Sequence, residues 1–133
     1  MEVFLGGTCA DSTWREELIP QLTMDYFNPV VDDWNEEAQE LELEKRETCD
    51  FILYVITPLM EGVYSIAEVV DDSNKRPNKT IFCVLEKDYD VKGGVNWTKA
   101  QRKSLASVER MVEENGALVL EDLGEIADVL NSL

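Results

Sequence analysis

The chain has 133 residues, with 28 acidic side chains against 12 basic ones, a net charge of -16 and no histidine. Its length fits one domain, here taken as residues 1–133. So negative a surface disfavours nucleic-acid polymers and anionic membranes as partners, and the missing imidazole excludes Ser-His-Asp triads and histidine metal motifs.

In chain order the first element is a short strand from Glu2 to Gly7, ending in Gly6-Gly7-Thr8. Asp11 or Ser12 is placed to cap a helix through about Leu22. Tyr26-Phe27 begins a short strand stopped by Asn28-Pro29, and Asn35 starts an acidic helix to about Thr48. Asp50 to Thr57 is an apolar run of buried-strand character. A loop containing Pro58 and Gly62 leads into a helix from Val63 to about Asn74, stopped near Pro77. Lys79 to Glu86 reads as another buried strand, and Lys87 to Trp97, with Gly93-Gly94, as a loop. Thr98 caps a long helix to about Asn115, with Gly116 at the position after its end. Ala117 to Leu120 is a last strand and Leu123 to Leu133 a last helix. Five strands alternating with five helices predict an α/β fold: a flavodoxin-like, doubly wound, five-stranded parallel sheet with helices on both faces.

No apolar run approaches the ~20 residues of a membrane span, and no basic segment precedes an apolar one at the N-terminus. Cys9, Cys49 and Cys83 are an odd, scattered set. They read as reduced thiols of a cytoplasmic protein, with no disulfide frame and no metal site. Gly6-Gly7-Thr8 does not extend to a dinucleotide fingerprint, and no P-loop sequence is present. Right-handed crossovers place the segments that follow the strands on one edge of the sheet, where ligands of such folds bind. Glu68 falls there, in the second turn of its helix among Ile66, Ala67, Val69 and Val70. A poorly solvated carboxylate on a rigid element suits a nucleophile or a general acid or base. With no histidine, acid–base chemistry falls to carboxylates, tyrosines, lysines or thiols.

Several blocks carry a resemblance: Phe4-Leu5-Gly6-Gly7-Thr8 followed by Trp14-Arg15, then Tyr26-Phe27-Asn28-Pro29-Val30-Val31-Asp32-Asp33-Trp34, then Cys49-Asp50, then Gly62-x-x-Ser65-x-x-Glu68. Together, over roughly residues 2 to 86, the chain resembles the nucleoside 2-deoxyribosyltransferase-like family. The resemblance implies cleavage or transfer at the N-glycosidic bond of a (deoxy)nucleoside or nucleoside monophosphate, without a cofactor or metal. Glu68 matches the glutamate that attacks the anomeric carbon. A second acidic residue belongs on the helix before the third strand. Glu42 fits its spacing best, Glu44 is possible, and Asp32 and Asp33 compete from the preceding loop. An acidic helix carrying Lys45 and Arg46 also reads as a plain solvated face. A nucleophile is suited by an unshifted or lowered pKa, and an acid by a raised one.

The remaining candidates are for substrate binding. The Gly6-Gly7-Thr8 turn lets a sugar or base approach the main chain. Arg15 is a candidate for a 5′-phosphate, or for pairing with Asp11 or Glu16. Asn28 and Asp33 carry groups that read a base, and Trp34 and Tyr64 have rings that stack on one. Ser65 belongs to the block ending in the nucleophile. One departure stands out: Gly62, next to Glu61, occupies the position where the family's transferases hold an aspartate. Non-catalytic binding or sequestering of a nucleotide-derived ligand is the other function in view. A homo-oligomer is expected through helical faces, on the family resemblance and on the apolar Ile126, Val129, Leu130 and Leu133.

Overall fold

The computed structural model describes residues 1–9 and 11–133. Its strands are β1 (Glu2–Gly7), β2 (Asp25–Phe27), β3 (Phe51–Ile56), β4 (Thr80–Val84), β5 (Lys87–Asp90), β6 (Gly93–Asn96) and β7 (Leu118–Leu120). Its helices are α1 (Trp14–Leu18), α2 (Glu36–Thr48), α3 (Tyr64–Lys75), α4 (Lys99–Glu114) and α5 (Leu123–Asn131).

The period of two along each strand sorts the core into two layers. Leu53 and Val55 of β3 face α1 and α5, meeting Trp14, Leu18, Ile126 and Leu130. Ile52, Tyr54 and Ile56 face the other way, toward Val69 of α3 and Leu105 and Val112 of α4. Both faces of the central strands are therefore covered, as a parallel sheet requires. The sheet order is β2-β1-β3-β4-β7, parallel throughout, which is the flavodoxin-like arrangement expected. The strand order reverses between β1 and β3, so the crevice of this topology opens beyond Gly7 and Ile56.

Asn35 and Thr98 cap α2 and α4 as expected, their side chains accepting from the Ala38 and Gln101 amides. Three expectations differ. The first helix starts at Trp14 after Thr13, with no side-chain cap from Asp11 or Ser12, and gives way to a 3-10 turn over Ile19–Gln21. Pro20 explains the change, because it lacks the N–H that would continue the ladder. Ser12 instead donates to Asp88 at 2.6 Å. That contact belongs to the second difference: Lys87 to Asn96 is an antiparallel hairpin, not a plain loop. Its charged sequence has little strand propensity. Anchors at Asp88 and at Trp97, whose indole donates to the Leu85 carbonyl at 2.8 Å, tie it down. Third, Ile126 and Leu130 are fully buried against the sheet, so α5 gives most of its apolar surface to the core and leaves little for an oligomer face.

Candidate active site

The site begins where β1 stops. Gly7 has φ +121° and lies so close to β3 that a Cβ on it would stand 2.0 Å from the Val55 carbonyl oxygen. Thr8 donates its amide to that same carbonyl at 2.9 Å, while its hydroxyl accepts from the Thr57 amide at 2.9 Å. Trp14 and Arg15 hold the turn from beneath. The Trp14 indole and Arg15 Nη1 both donate to the Thr8 carbonyl at 2.8 Å, and Arg15 Nε reaches the Leu5 carbonyl at 3.0 Å. Arg15 is thus buried under the turn with its donors on main-chain oxygens, and has no ion pair with Asp11 or Glu16 among the described contacts.

Across the crevice, Thr57 to Val63 carries the chain into α3. Gly7, Thr8 and Cys9 on one side face Glu61, Tyr64 and Ser65 on the other, around a cleft of about 250 Å³. No lysine or arginine lines it among the described residues. Gly62 also lines this cleft, and a Cβ there would meet nothing within 4 Å.

One turn further along, Glu68 points toward α2. Residues 64, 68 and 72 are spaced by four, so they share one helix face. Glu68 is buried there at 7% exposure, beside Glu42 and Arg46 of α2, in a small cavity closed by Trp34 and Tyr64. Tyr64 lines both the cleft and this cavity, and it is 70% exposed, as Trp34 is 58% exposed. Burial, followed by the hydrogen-bonding contact and negative charge of Glu42, pushes Glu68 up to about 8, while Arg46 works against the shift. The Arg46 contact is long, 3.6 Å from Nη1 to Oε2. Glu68 therefore binds a proton at neutral pH in the free protein, the opposite of the unshifted or lowered value that suits a nucleophile.

Two groups of this region escaped the sequence. Arg46, which by sequence belongs to a solvated face, is buried, pairing through Nε with Asp72 at 3.0 Å and through Nη2 with Asp71 at 3.0 Å. Asp72 also accepts from the Tyr54 hydroxyl at 2.5 Å and from Arg76. Burial and Asp72 raise Tyr54 above its ordinary range, which keeps it a hydroxyl donor. Such a buried network is specified by geometry, because an unpaired member would cost several kcal/mol. The signal available in the sequence is Asp72 four residues after Glu68, with a tyrosine hydroxyl inside an otherwise apolar strand. Asn28 and Asp33 are exposed, and the Asn28 side-chain carbonyl accepts from the amide of Val30, so neither lines the cleft or the cavity. Gly6 stands against the Tyr54 and Phe4 rings, with no room for a Cβ.

The raised carboxyl has a consequence for folding. Glu68 binds its proton more tightly in the folded than in the unfolded chain, so the native state is favoured below about 4.5 and loses that advantage as pH rises through about 8. Glu68→Gln keeps the neutral shape and removes the titration. The variant is expected to melt with the wild type near pH 5 and above it near pH 8.5, by on the order of a few kcal/mol at most. Equal melting differences at both pH values would contradict the burial of this carboxyl.

No described helix is long and apolar enough to cross a membrane. None of the curated proteins compared matches the chain. Residues 1–88 match the family model described as nucleoside 2-deoxyribosyltransferase like, and they include β1 to β4, the Gly-Gly-Thr turn, α2 and α3 with Glu68. With its parallel sheet and its crevice beyond β1 and β3, the chain belongs to the nucleoside 2-deoxyribosyltransferase-like family.

Proposed function

We propose that this protein is an N-glycosyl transferase or hydrolase acting on a (deoxy)nucleoside or nucleoside monophosphate, with Glu68 as nucleophile and Glu42 as its acid–base partner. The observation that carries the proposal is the pair itself: buried Glu68 and half-buried Glu42 line one small cavity, flanked by two exposed aromatic rings and beside an open cleft.

Glu68 first passes its proton to Glu42. Its freed oxygen then attacks the anomeric carbon as the bond to the base breaks, the bonding electrons leaving with the base nitrogen. The transition state is oxocarbenium-like, so the developing positive charge draws the carboxylate in. Glu42 returns the proton to the departing base. Water or a second base then attacks the same carbon, freeing the Glu68 carboxylate and giving up its proton to Glu42.

The sugar sits against Gly7, Thr8 and Ser65, with Gly6 behind them packed on the Tyr54 ring, and the base between Trp34 and Tyr64. Glu61, lining the cleft beside Gly62, is the available stand-in for the family's aspartate. The cleft's lack of basic side chains and the net charge of -16 favour a nucleoside or monophosphate over a triphosphate or polynucleotide. The test is product analysis on a panel of deoxynucleosides and their monophosphates, with and without an acceptor base. Released or exchanged base supports the proposal, and no turnover of any member with clear saturable binding supports the second function, non-catalytic binding of a nucleotide-derived ligand. Glu68's proton and the glycine at position 62 are the observations that favour that second function.

We further propose a cytoplasmic homo-oligomer. The apolar helical surface lies between α3 and α4, in a groove of about 900 Å³ that includes Val63, Ile66, Val70, Trp97 and Val108. Met60 lines both this groove and the cleft, so a second copy seated here would adjoin the site. Sedimentation at tens of micromolar, about the range in which weak interfaces assemble, should give a dimer or larger species, and a monomer there would exclude the proposal.

A further inference from the structure

Arg46 stands at the seam of α2 and α3 with three carboxylates on one guanidinium. The two short contacts, both 3.0 Å, go to Asp71 and Asp72, and the long one, 3.6 Å, to Glu68. Asp72 is wholly buried and also bonded by Tyr54 and Arg76, so its place is fixed. Asp71 is different. Its side chain is 43% exposed, and Lys75 supplies a second cation at 3.1 Å. Partial burial alone would raise Asp71, yet Lys75 and Arg46 hold it below its ordinary range, consistent with engagement on both sides.

A guanidinium is a rigid planar fork, so the arm given to one carboxylate limits where the other can go. We infer that Arg46 is a positioning residue for Glu68, and that Asp71, lying outside the site, keeps Arg46 at arm's length from Glu68 by holding the opposite nitrogen. This rests on the proposed nucleophilic role of Glu68. The charged and titratable groups facing Glu68 are Glu42 and Arg46 from α2, Tyr64 and Asp72 from its own helix and Tyr54 from β3. Arg46 is the cation nearest to it among the described contacts, and it is not at hydrogen-bonding distance. Releasing the Asp71 arm lets the fork re-centre on Glu68 and favours its charged form.

The experiment is a carbon-13 carboxyl titration of the full chain, the Glu68 signal being identified by its loss in Glu68→Gln. Asp71→Asn should lower the Glu68 midpoint by about one unit or more, and move the falling, alkaline limb of turnover against pH down by the same amount with KM unchanged, because the Glu68 proton is the one delivered to the departing base. In an Arg46→Lys background the Asp71→Asn shift should vanish, because a single ammonium has no second arm to release. An equal shift in both backgrounds would mean direct repulsion between the two carboxylates and would overturn the inference, as would no shift in Asp71→Asn alone. Should Arg46→Lys fail to fold, the Asp71→Asn shift is compared at low and high salt. Repulsion from half-exposed Asp71 is screened by salt, so a shift that disappears at high salt also overturns the inference. Midpoints that move as expected in a protein without turnover would remove the nucleophilic role of Glu68 and leave the coupling in place.

Discussion

Glu68→Gln is expected to lower base release by at least about 10³-fold, the scale seen when a covalent nucleophile is removed, while the protein stays folded. The amide preserves shape and hydrogen bonding with Glu42 but cannot bond to an anomeric carbon as an anion. The free enzyme makes this test sharper than usual. Glu68 already binds a proton at neutral pH, so the amide mimics the resting state closely, and what it removes is the ionisation that precedes attack. Substrate affinity should therefore change little while turnover collapses. Wild-type-like cleavage by the variant, in a preparation shown to be free of contaminating enzyme, would end the assignment of Glu68.

Gly7→Ala should be among the most damaging single changes in the molecule, at roughly 4 kcal/mol or more. Two independent faults combine in it. The φ of +121° lies where L-residues are strained, and the new methyl would sit 2.0 Å from a backbone oxygen of β3, an atom that no rotamer change can move. Relief requires parting β1 from β3 at the centre of the sheet, where the Thr8 amide and the Val55 carbonyl are bonded. Gly62→Ala is the control, with nothing within 4 Å of its Cβ and no positive φ. It should be neutral, or stabilise by ~0.5 kcal/mol through the unfolded chain. Urea melts of the two variants, run together, decide the matter. A Gly7→Ala midpoint close to the wild type would mean that the turn can relax in a way the sheet pairing does not allow.

The architecture was legible because it is written in local patterns. Apolar runs at Phe51 to Ile56 and Thr80 to Val84, helix caps at Asn35 and Thr98, and the alternation of strand with helix leave few topologies open. The Lys87–Asn96 hairpin was not legible, since its residues prefer neither state and its anchors, Ser12 to Asp88 and Trp97 to Leu85, come from elsewhere in the chain. Glu68 itself could be singled out from its apolar neighbours and its place after β3. Its protonation could not, because that depends on Glu42, twenty-six positions earlier, and on how much of Arg46 is left over from Asp71 and Asp72. Arg15 shows the same division. As a sequence letter beside a glycine turn it is a plausible phosphate ligand, whereas in the fold its donors face the carbonyls of Leu5, Gly7 and Thr8.

What the sequence determined alone was thus the parallel sheet, its alternation with helices and the edge on which a site must form, because hydrophobic period and chain handedness act over a few residues at a time. The tertiary structure decided which charges meet. Burial of a carboxyl and the sharing of one guanidinium among three acids are properties of the α2–α3 seam, and they exist only once residues 42, 46, 68, 71 and 72 are packed together in a medium that screens them poorly.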